Sequence, residues 1–144
     1  MSTTEDRTTV AAPAWRSRLA AVAAAAIGAA LVAFIASVAG ATMEAANPGQ
    51  DPIPIGPVNA AFAGLAAGGL GWLARALLDR FAPTRARLIW LIGASAAFLV
   101  ELFPPLLTEA TPGTRVALFA MHAVVAAILF PILGARRDRP NTRS

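Results

Sequence analysis

The sequence predicts an all-α protein, a bundle of four transmembrane helices whose N- and C-termini both lie in the cytoplasm. Long apolar runs are separated by short loops, and a spanning helix needs roughly 20 mostly apolar residues. The chain is 57% hydrophobic and only 14% charged, whereas a typical soluble domain carries about 25% charged residues. The runs that meet or nearly meet the length requirement are 19–42, 57–78, 88–107 and 116–134.

These runs define one transmembrane domain over residues 19–134 and leave no room for a separate soluble domain. Residues 1–18 begin with a small, polar stretch and are predicted to be a disordered cytoplasmic N-terminus. Residues 135–144 are predicted to be an Arg-rich cytoplasmic tail. Since the sequence contains no Cys, disulfides, thiolate metal sites and dithiol redox chemistry are excluded.

The distribution of arginine predicts the orientation, because loops that stay in the cytoplasm are enriched in Arg. All but one of the arginines lie on one side of the predicted spans. They are Arg7, Arg16, Arg18, Arg75, Arg80, Arg85, Arg87, Arg136, Arg137, Arg139 and Arg143. The opposite side has only Arg115, and its first loop, 43–56, contains two carboxylates and no Arg. We therefore predict a multi-pass protein of the plasma membrane with both termini inside.

The net charge of +4 is explained by this orientation. No basic stripe with interleaved aromatic residues is present, so nucleic acid is not expected as a partner. The predicted partner is the lipid bilayer, with a homo-oligomer or another membrane protein as a further possibility.

The first run allows two interpretations. Its small residues Ala39-Gly40-Ala41 resemble a signal-peptide cleavage site, but the apolar stretch exceeds the usual length of such peptides and favours a retained helix.

The second run contains small residues four apart, at Gly64 and Gly68. In lipid, this spacing lets helices approach closely. We expect these glycines to pack within the bundle, and a dimerisation face is the alternative.

Near the inner end of the same run, Arg75 and Asp79 have the i, i+4 spacing of an ion pair. Arg75 is expected to extend to the headgroups, where it can also bind an anionic lipid.

Ionisable side chains inside a bilayer are costly and need an explanation. Glu101 and His122 stand about equally far from the turn between the third and fourth runs. An antiparallel hairpin would therefore place them at nearly the same depth, in the outer half of the membrane. Asn59, at the start of the second run, begins at the same face and is a possible accessory residue.

The Glu101–His122 pair has two interpretations. It can be a structural contact that locks the last two helices together, which we favour. It can also be a proton-exchanging or ligand-linked pair, as in the relays of small transporters. One His and one Glu are too few ligands for a metal site. No nucleophile triad, phosphate loop or nucleotide motif is present, so no catalytic residue, metal or cofactor is predicted.

A proline pair, Pro104-Pro105, ends the third run, and residues 121–131 (MHAVVAAILFP) form the core of the fourth. A proline-rich segment also precedes Pro57. Together these features resemble domain-of-unknown-function family 6069, small and mainly actinobacterial proteins with four predicted transmembrane helices. The resemblance extends from about Trp15 to Arg137. It implies a four-helix integral membrane protein and supplies neither an activity nor a catalytic residue.

Three functional classes follow from these observations. The favoured one is a non-enzymatic membrane protein that packs with itself or with a partner. The alternative is a small proton-linked transporter or channel subunit that uses Glu101 and His122. An enzyme acting on a lipid or quinone is the least favoured class. Small multidrug exporters also have four helices, but their essential Glu lies in the first helix, which here contains no ionisable residue. Thiol-based quinone reductases are excluded by the absence of Cys.

Overall fold

The computed structural model describes residues 14–135. Within them, four long helices form a bundle, which confirms the predicted all-α, four-helix fold. The long helices are α1 (Ala14–Val38), α2 (Pro57–Phe81), α3 (Ala86–Glu101) and α5 (Pro112–Leu133), and one short helical turn, α4 (Pro104–Leu107), lies between the last two. The predictions for residues 1–13 and 136–144 concern parts of the chain outside the described residues.

All four predicted spans correspond to helices that are long and apolar enough to cross a membrane. The spans are Trp15–Val38, Pro57–Phe81, Ala86–Leu107 and Pro112–Leu133. Many large apolar side chains on them point away from the protein, among them Ile27, Leu70 and Ile92, each at least 60% exposed. In a bilayer these side chains contact lipid, which is as apolar as they are.

α1 begins at Ala14, before the predicted start at residue 19. Residues 14–18, assigned from the sequence to a disordered N-terminus, are therefore helical. The earlier start places Arg18 on the helix, where its side chain is buried and forms an ion pair. α1 ends at Val38 instead of residue 42. Gly40 follows with a φ of +91°, a left-handed conformation that glycine adopts readily and that commonly ends helices.

The third span is interrupted instead of continuing as one helix over 88–107. α3 ends at Glu101, and the single turn of α4 starts at Pro104. Pro104 and Pro105 lack the N–H groups that would bond to the carbonyls one turn earlier. The same residues are well tolerated in the first turn of α4, where N–H groups have no helical partner in any case.

A small β-hairpin, which was not predicted from the sequence, fills the loop between α1 and α2. Its strands are β1 (Glu44–Ala45) and β2 (Ile53–Pro54), paired antiparallel with Ala45 opposite Ile53. Ala46 also pairs with Glu109 through two backbone hydrogen bonds of 3.0 and 2.9 Å. The hairpin is thereby attached to the loop before α5.

α1 occupies the centre of the bundle and packs along α2 and α5. Small side chains make this close packing possible: Ala25 and Ala33 of α1 are fully buried, and a Cβ at Gly64 of α2 would lie 2.8 Å from the Cα of Ala26. α3 lies at the edge of the bundle. It is attached to α2 by a hydrogen bond from Trp90 Nε1 to the carbonyl of Gly71, at 3.2 Å.

Candidate functional site

Glu101 and His122 approach each other between α3 and α5. His122 Nε2 lies 3.9 Å from Glu101 Oε2. Glu101 is the last residue of α3, and His122 is near the middle of α5. The side chain of His122 is 29% exposed and that of Glu101 is 64% exposed. The pair therefore lies on the bundle surface between two helices and not in a closed core.

The hydrogen bonding of His122 determines what this pair can do. Its Nδ1 lies 2.8 Å from the carbonyl of Leu118, and because a carbonyl only accepts, Nδ1 must carry a proton. A neutral His122 then has an unprotonated Nε2, which is an acceptor. An ionised Glu101 is also an acceptor. The two atoms therefore attract each other only when Nε2 of His122 or the carboxyl of Glu101 carries a proton.

Asn59, the possible accessory residue, makes its hydrogen bond away from the Glu101–His122 pair. Its Nδ2 donates a hydrogen bond to the carbonyl of Pro54, at 3.0 Å. The bond joins the first turn of α2 to strand β2. Asn59 thus has a local role at the end of the hairpin.

A second polar cluster, the inner cluster, joins α1, α2 and the end of α5. Asp79 accepts from Arg18 Nη2 at 2.8 Å and from Arg75 Nη1 at 2.6 Å. Arg75 also donates from Nε to the carbonyl of Leu133 at 2.7 Å and from Nη2 to the carbonyl of Ala135 at 3.2 Å. The side chains of Arg18, Arg75 and Asp79 are only 8%, 3% and 11% exposed.

The structure forms the i, i+4 ion pair between Arg75 and Asp79, and the buried guanidinium of Arg75 is bonded inside the bundle. The last carbonyls of a helix have no helical partner, and the guanidinium of Arg75 supplies hydrogen bonds to those at the end of α5. Arg87 makes a similar bond from the surface, from Nε to the carbonyl of Gly134 at 2.9 Å.

Gly64 and Gly68 both face α1. A Cβ at Gly68 would lie 3.1 to 3.3 Å from atoms of Val22, and one at Gly64 would clash with the backbone at Ala26. The glycines are therefore used for packing inside the chain, and the surface they form is covered by α1.

Threonines connect the helices at the opposite end of the bundle. Thr114 is fully buried, and its Oγ1 accepts from the N–H of Met43 at 3.1 Å. The same oxygen lies 3.2 Å from Thr42 Oγ1 and 3.0 Å from Thr111 Oγ1. Thr111 caps α5, which begins at Pro112 instead of residue 116. The sequence carried a signal for this start, a Thr followed by Pro, which is typical of a helix N-terminus.

Sequence reasoning also missed Arg18 as a partner of Asp79. The signal available was weak: both residues belong to the arginine-rich end of neighbouring antiparallel spans. Nothing in the spacing identified which arginine meets the carboxylate. Within residues 14–135, no three His, Asp or Glu side chains come close enough to hold a metal ion.

These elements define a multi-pass membrane protein, a four-helix bundle with one polar cluster at one end, a threonine network at the other, and a Glu–His pair between α3 and α5. The model of a family of unknown function, DUF6069, matches residues 9–139, and the chain belongs to this family. The predicted family resemblance is thereby confirmed. Comparison with curated proteins and with solved structures gave no match.

Proposed function

We propose that this chain is a non-enzymatic protein of the plasma membrane that associates with a second copy of itself through the exposed face of α3. The observation that carries the proposal is the sparse packing of this helix. Only 11% of the most apolar stretch of the third span is buried, against 33%, 17% and 22% in the first, second and fourth spans. α3 therefore presents most of its surface to the membrane or to a partner.

The exposed face of α3 has the composition of a helix–helix interface. Gly93 and Ala97 are four residues apart and exposed, and a Cβ at Gly93 would meet no atom within 4 Å. Small residues at this spacing allow two helices in lipid to pack closely. Ile89 and Val100, 42% and 63% exposed, lie on the same face and would pack at its two ends.

A second copy is the simplest occupant of this face. The strong arginine bias predicts one orientation for all copies of this chain, so a twofold axis along the membrane normal would bring the same α3 face of two copies together. The other small-residue motif, Gly64 with Gly68, is covered by α1. Gly93 on α3 is not covered in this way, since an added Cβ there would meet no atom within 4 Å, so its face is available for contact with a second chain.

The orientation is supported by where the structure brings arginines together. The ion pair between Arg18 and Asp79 places the start of α1 beside the end of α2. The bond from Arg87 to Gly134 places the start of α3 beside the end of α5. All of these chain segments share one arginine-rich end, which the positive-inside rule assigns to the cytoplasm.

Single cysteines in this cysteine-free chain test the proposal. We expect Ala97→Cys to form a disulfide-linked dimer when native membranes are treated with a mild oxidant, because Ala97 would lie near the twofold axis. Ala67→Cys is the matched control, since Ala67 is also small and exposed but lies on α2. A dimer yield at Ala97 no higher than at Ala67 would contradict the proposed interface.

Cysteines in the loops give the orientation in the same experiment. Asp51→Cys, between β1 and β2, should react with a membrane-impermeant maleimide in intact cells. Thr84→Cys, between α2 and α3, should react only after permeabilisation. The reverse pattern would place the arginine-rich end outside and refute the orientation while leaving the interface result intact.

A proton-linked role is the second candidate, and the geometry of Glu101 and His122 supports it. Their contact is favourable only when Nε2 of His122 or the carboxyl of Glu101 carries a proton, so binding or releasing that proton would change the contact between α3 and α5. For this candidate we expect the infrared band of the protonated Glu101 carboxyl, measured in liposomes, to change its pH response in His122→Ala.

Glu101→Gln lacks this carboxyl, so the infrared band that disappears in this variant belongs to Glu101. A band with the same pH response whether or not His122 is present would show that the two side chains titrate independently. That result would reject the proton-linked role and leave the pair as a surface contact between helices.

A further inference from the structure

A groove of about 500 Å³ lies between α3 and α5 at the arginine-rich end of the bundle. It is distinct from the exposed α3 face and from the Glu101–His122 pair. Its lining combines one cationic side chain with a mainly apolar wall. The residues are Arg87, Leu91, Phe130, Pro131, Gly134 and Ala135.

Arg87 is held in position and retains hydrogen-bonding capacity. Its Nε donates to the carbonyl of Gly134 at 2.9 Å, which fixes the guanidinium at the groove. Within residues 14–135, no carboxylate forms an ion pair with Arg87 and no other group accepts a hydrogen bond from it. Its two terminal nitrogens, Nη1 and Nη2, can therefore bind an anion. Arg75 differs, since it is buried among Asp79 and the carbonyls of α5.

The electrostatics around Arg87 favour a negative ligand. The first turn of α3 contains no acidic residue, and its N-cap, Arg85, makes no side-chain capping bond. The N-terminus of a helix carries a partial positive charge that attracts anions. The carbonyls at the end of α5, which would repel an anion, are bonded to Arg75 and Arg87.

The apolar wall determines what kind of anion fits. Leu91 lies one helical turn from Arg87 in the direction of the membrane centre, and Phe130 stands opposite on α5. A Cβ at Gly134 would lie 2.6 Å from the carbonyl oxygen of Phe130 and 3.1 Å from Leu91 Cδ2, so this glycine allows α5 to end close to α3. The groove has a charged group at the end of the span and an apolar wall toward the membrane centre. This arrangement fits an amphiphile better than a soluble ion.

We propose that this groove binds an anionic phospholipid of the leaflet on the arginine-rich side. The phosphate accepts hydrogen bonds from Arg87, and an acyl chain lies along Leu91 and Phe130. The lipid would fill the gap that the loose packing of α3 leaves beside α5. The proposal concerns the opposite side of α3 from the dimer face, so it stands or falls separately from the proposed self-association.

Trp90 is a built-in reporter for this site. It follows Arg87 by three residues, and its ring centroid lies 5.7 Å from that of Phe130. In a Trp15→Phe/Trp72→Phe background, Trp90 is the single tryptophan. We would reconstitute this variant in phosphatidylcholine vesicles and compare quenching by brominated phosphatidylglycerol with quenching by brominated phosphatidylcholine at the same fraction.

We expect phosphatidylglycerol to be preferred, and Arg87→Gln to reduce that preference by about tenfold, the effect typical of losing a hydrogen bond to a charged group. Arg80→Gln is the matched control, because it removes the same charge from the same end but Arg80 does not line the groove. Its preference should remain close to that of the parent variant.

Three results would overturn the proposal. One is an absence of preference for the anionic lipid in the parent variant. Another is an equal loss in Arg87→Gln and Arg80→Gln, which would show only a general attraction to the charged surface. The last is loss of the preference when inorganic phosphate is added at constant ionic strength, which would identify the ligand as a soluble phosphate.

Discussion

Asp79→Asn is expected to lower the free energy of unfolding by about 3–5 kcal/mol, the cost typical of removing one partner from a buried ion pair. The substitution removes the carboxylate shared by Arg18 and Arg75, whose side chains are 8% and 3% exposed. It removes the carboxylate that both of these buried guanidinium groups contact, at the point where α1, α2 and α5 meet. Unfolding by SDS in mixed micelles, followed by tryptophan fluorescence, measures the effect.

Asp51→Asn is the control for this prediction. It makes the same chemical change at an exposed residue in the loop between β1 and β2, and its unfolding free energy should match that of the wild type. If Asp79→Asn unfolded at the same SDS concentration as Asp51→Asn, the inner cluster would contribute nothing to stability, and its role in joining the helices would have to be abandoned.

Gly64→Ala is expected to destabilise the bundle by about 1–3 kcal/mol, the usual cost of inserting a methyl group into a packed interior. The new Cβ would lie 2.8 Å from the Cα of Ala26 and 3.1 Å from the carbonyl oxygen of Ala25. Both are backbone atoms, so α1 and α2 can accept the methyl group only by moving apart. The same SDS titration measures the loss.

Gly69→Ala, on the same helix, is the control for this prediction and should not destabilise the bundle. A Cβ at Gly69 would meet no atom within 4 Å, and alanine is a better helix former than glycine. This variant should be as stable as the wild type or slightly more stable. Equal effects at the two positions would show that close contact with α1 is not what requires glycine at position 64.

The number and placement of the spans could be predicted from the sequence because the bilayer imposes one simple requirement. A segment must be apolar over a sufficient length and must satisfy its backbone hydrogen bonds internally. The ends of the helices were harder to predict. From the sequence, Arg16 and Arg18 were assigned to the segment before α1, but α1 includes both. The ion pair that holds Arg18, with Asp79, is formed only in the folded bundle.

The candidate site was predictable in part. Equal distances from the turn indicated that Glu101 and His122 would be neighbours, and the structure places Nε2 and Oε2 3.9 Å apart. The exposure of Glu101 depends on the break that Pro104 and Pro105 impose and on the sparse packing of α3, which distance from the turn does not specify. The role of Arg75 also depended on a partner distant in sequence, the carbonyl of Leu133.

The sequence by itself determined that this is a four-helix membrane protein, since apolar length and arginine placement are local properties of the chain. It also marked the prolines and threonines that start and end helices. Only the tertiary structure decided which residues meet: Arg18 with Asp79, Gly64 with Ala26, and Arg87 with Gly134. Contacts between helices depend on how each helix is rotated about its own axis and on how deep it lies in the membrane. The pattern of apolar residues specifies both poorly in lipid, because lipid-facing and core-facing residues are almost equally apolar.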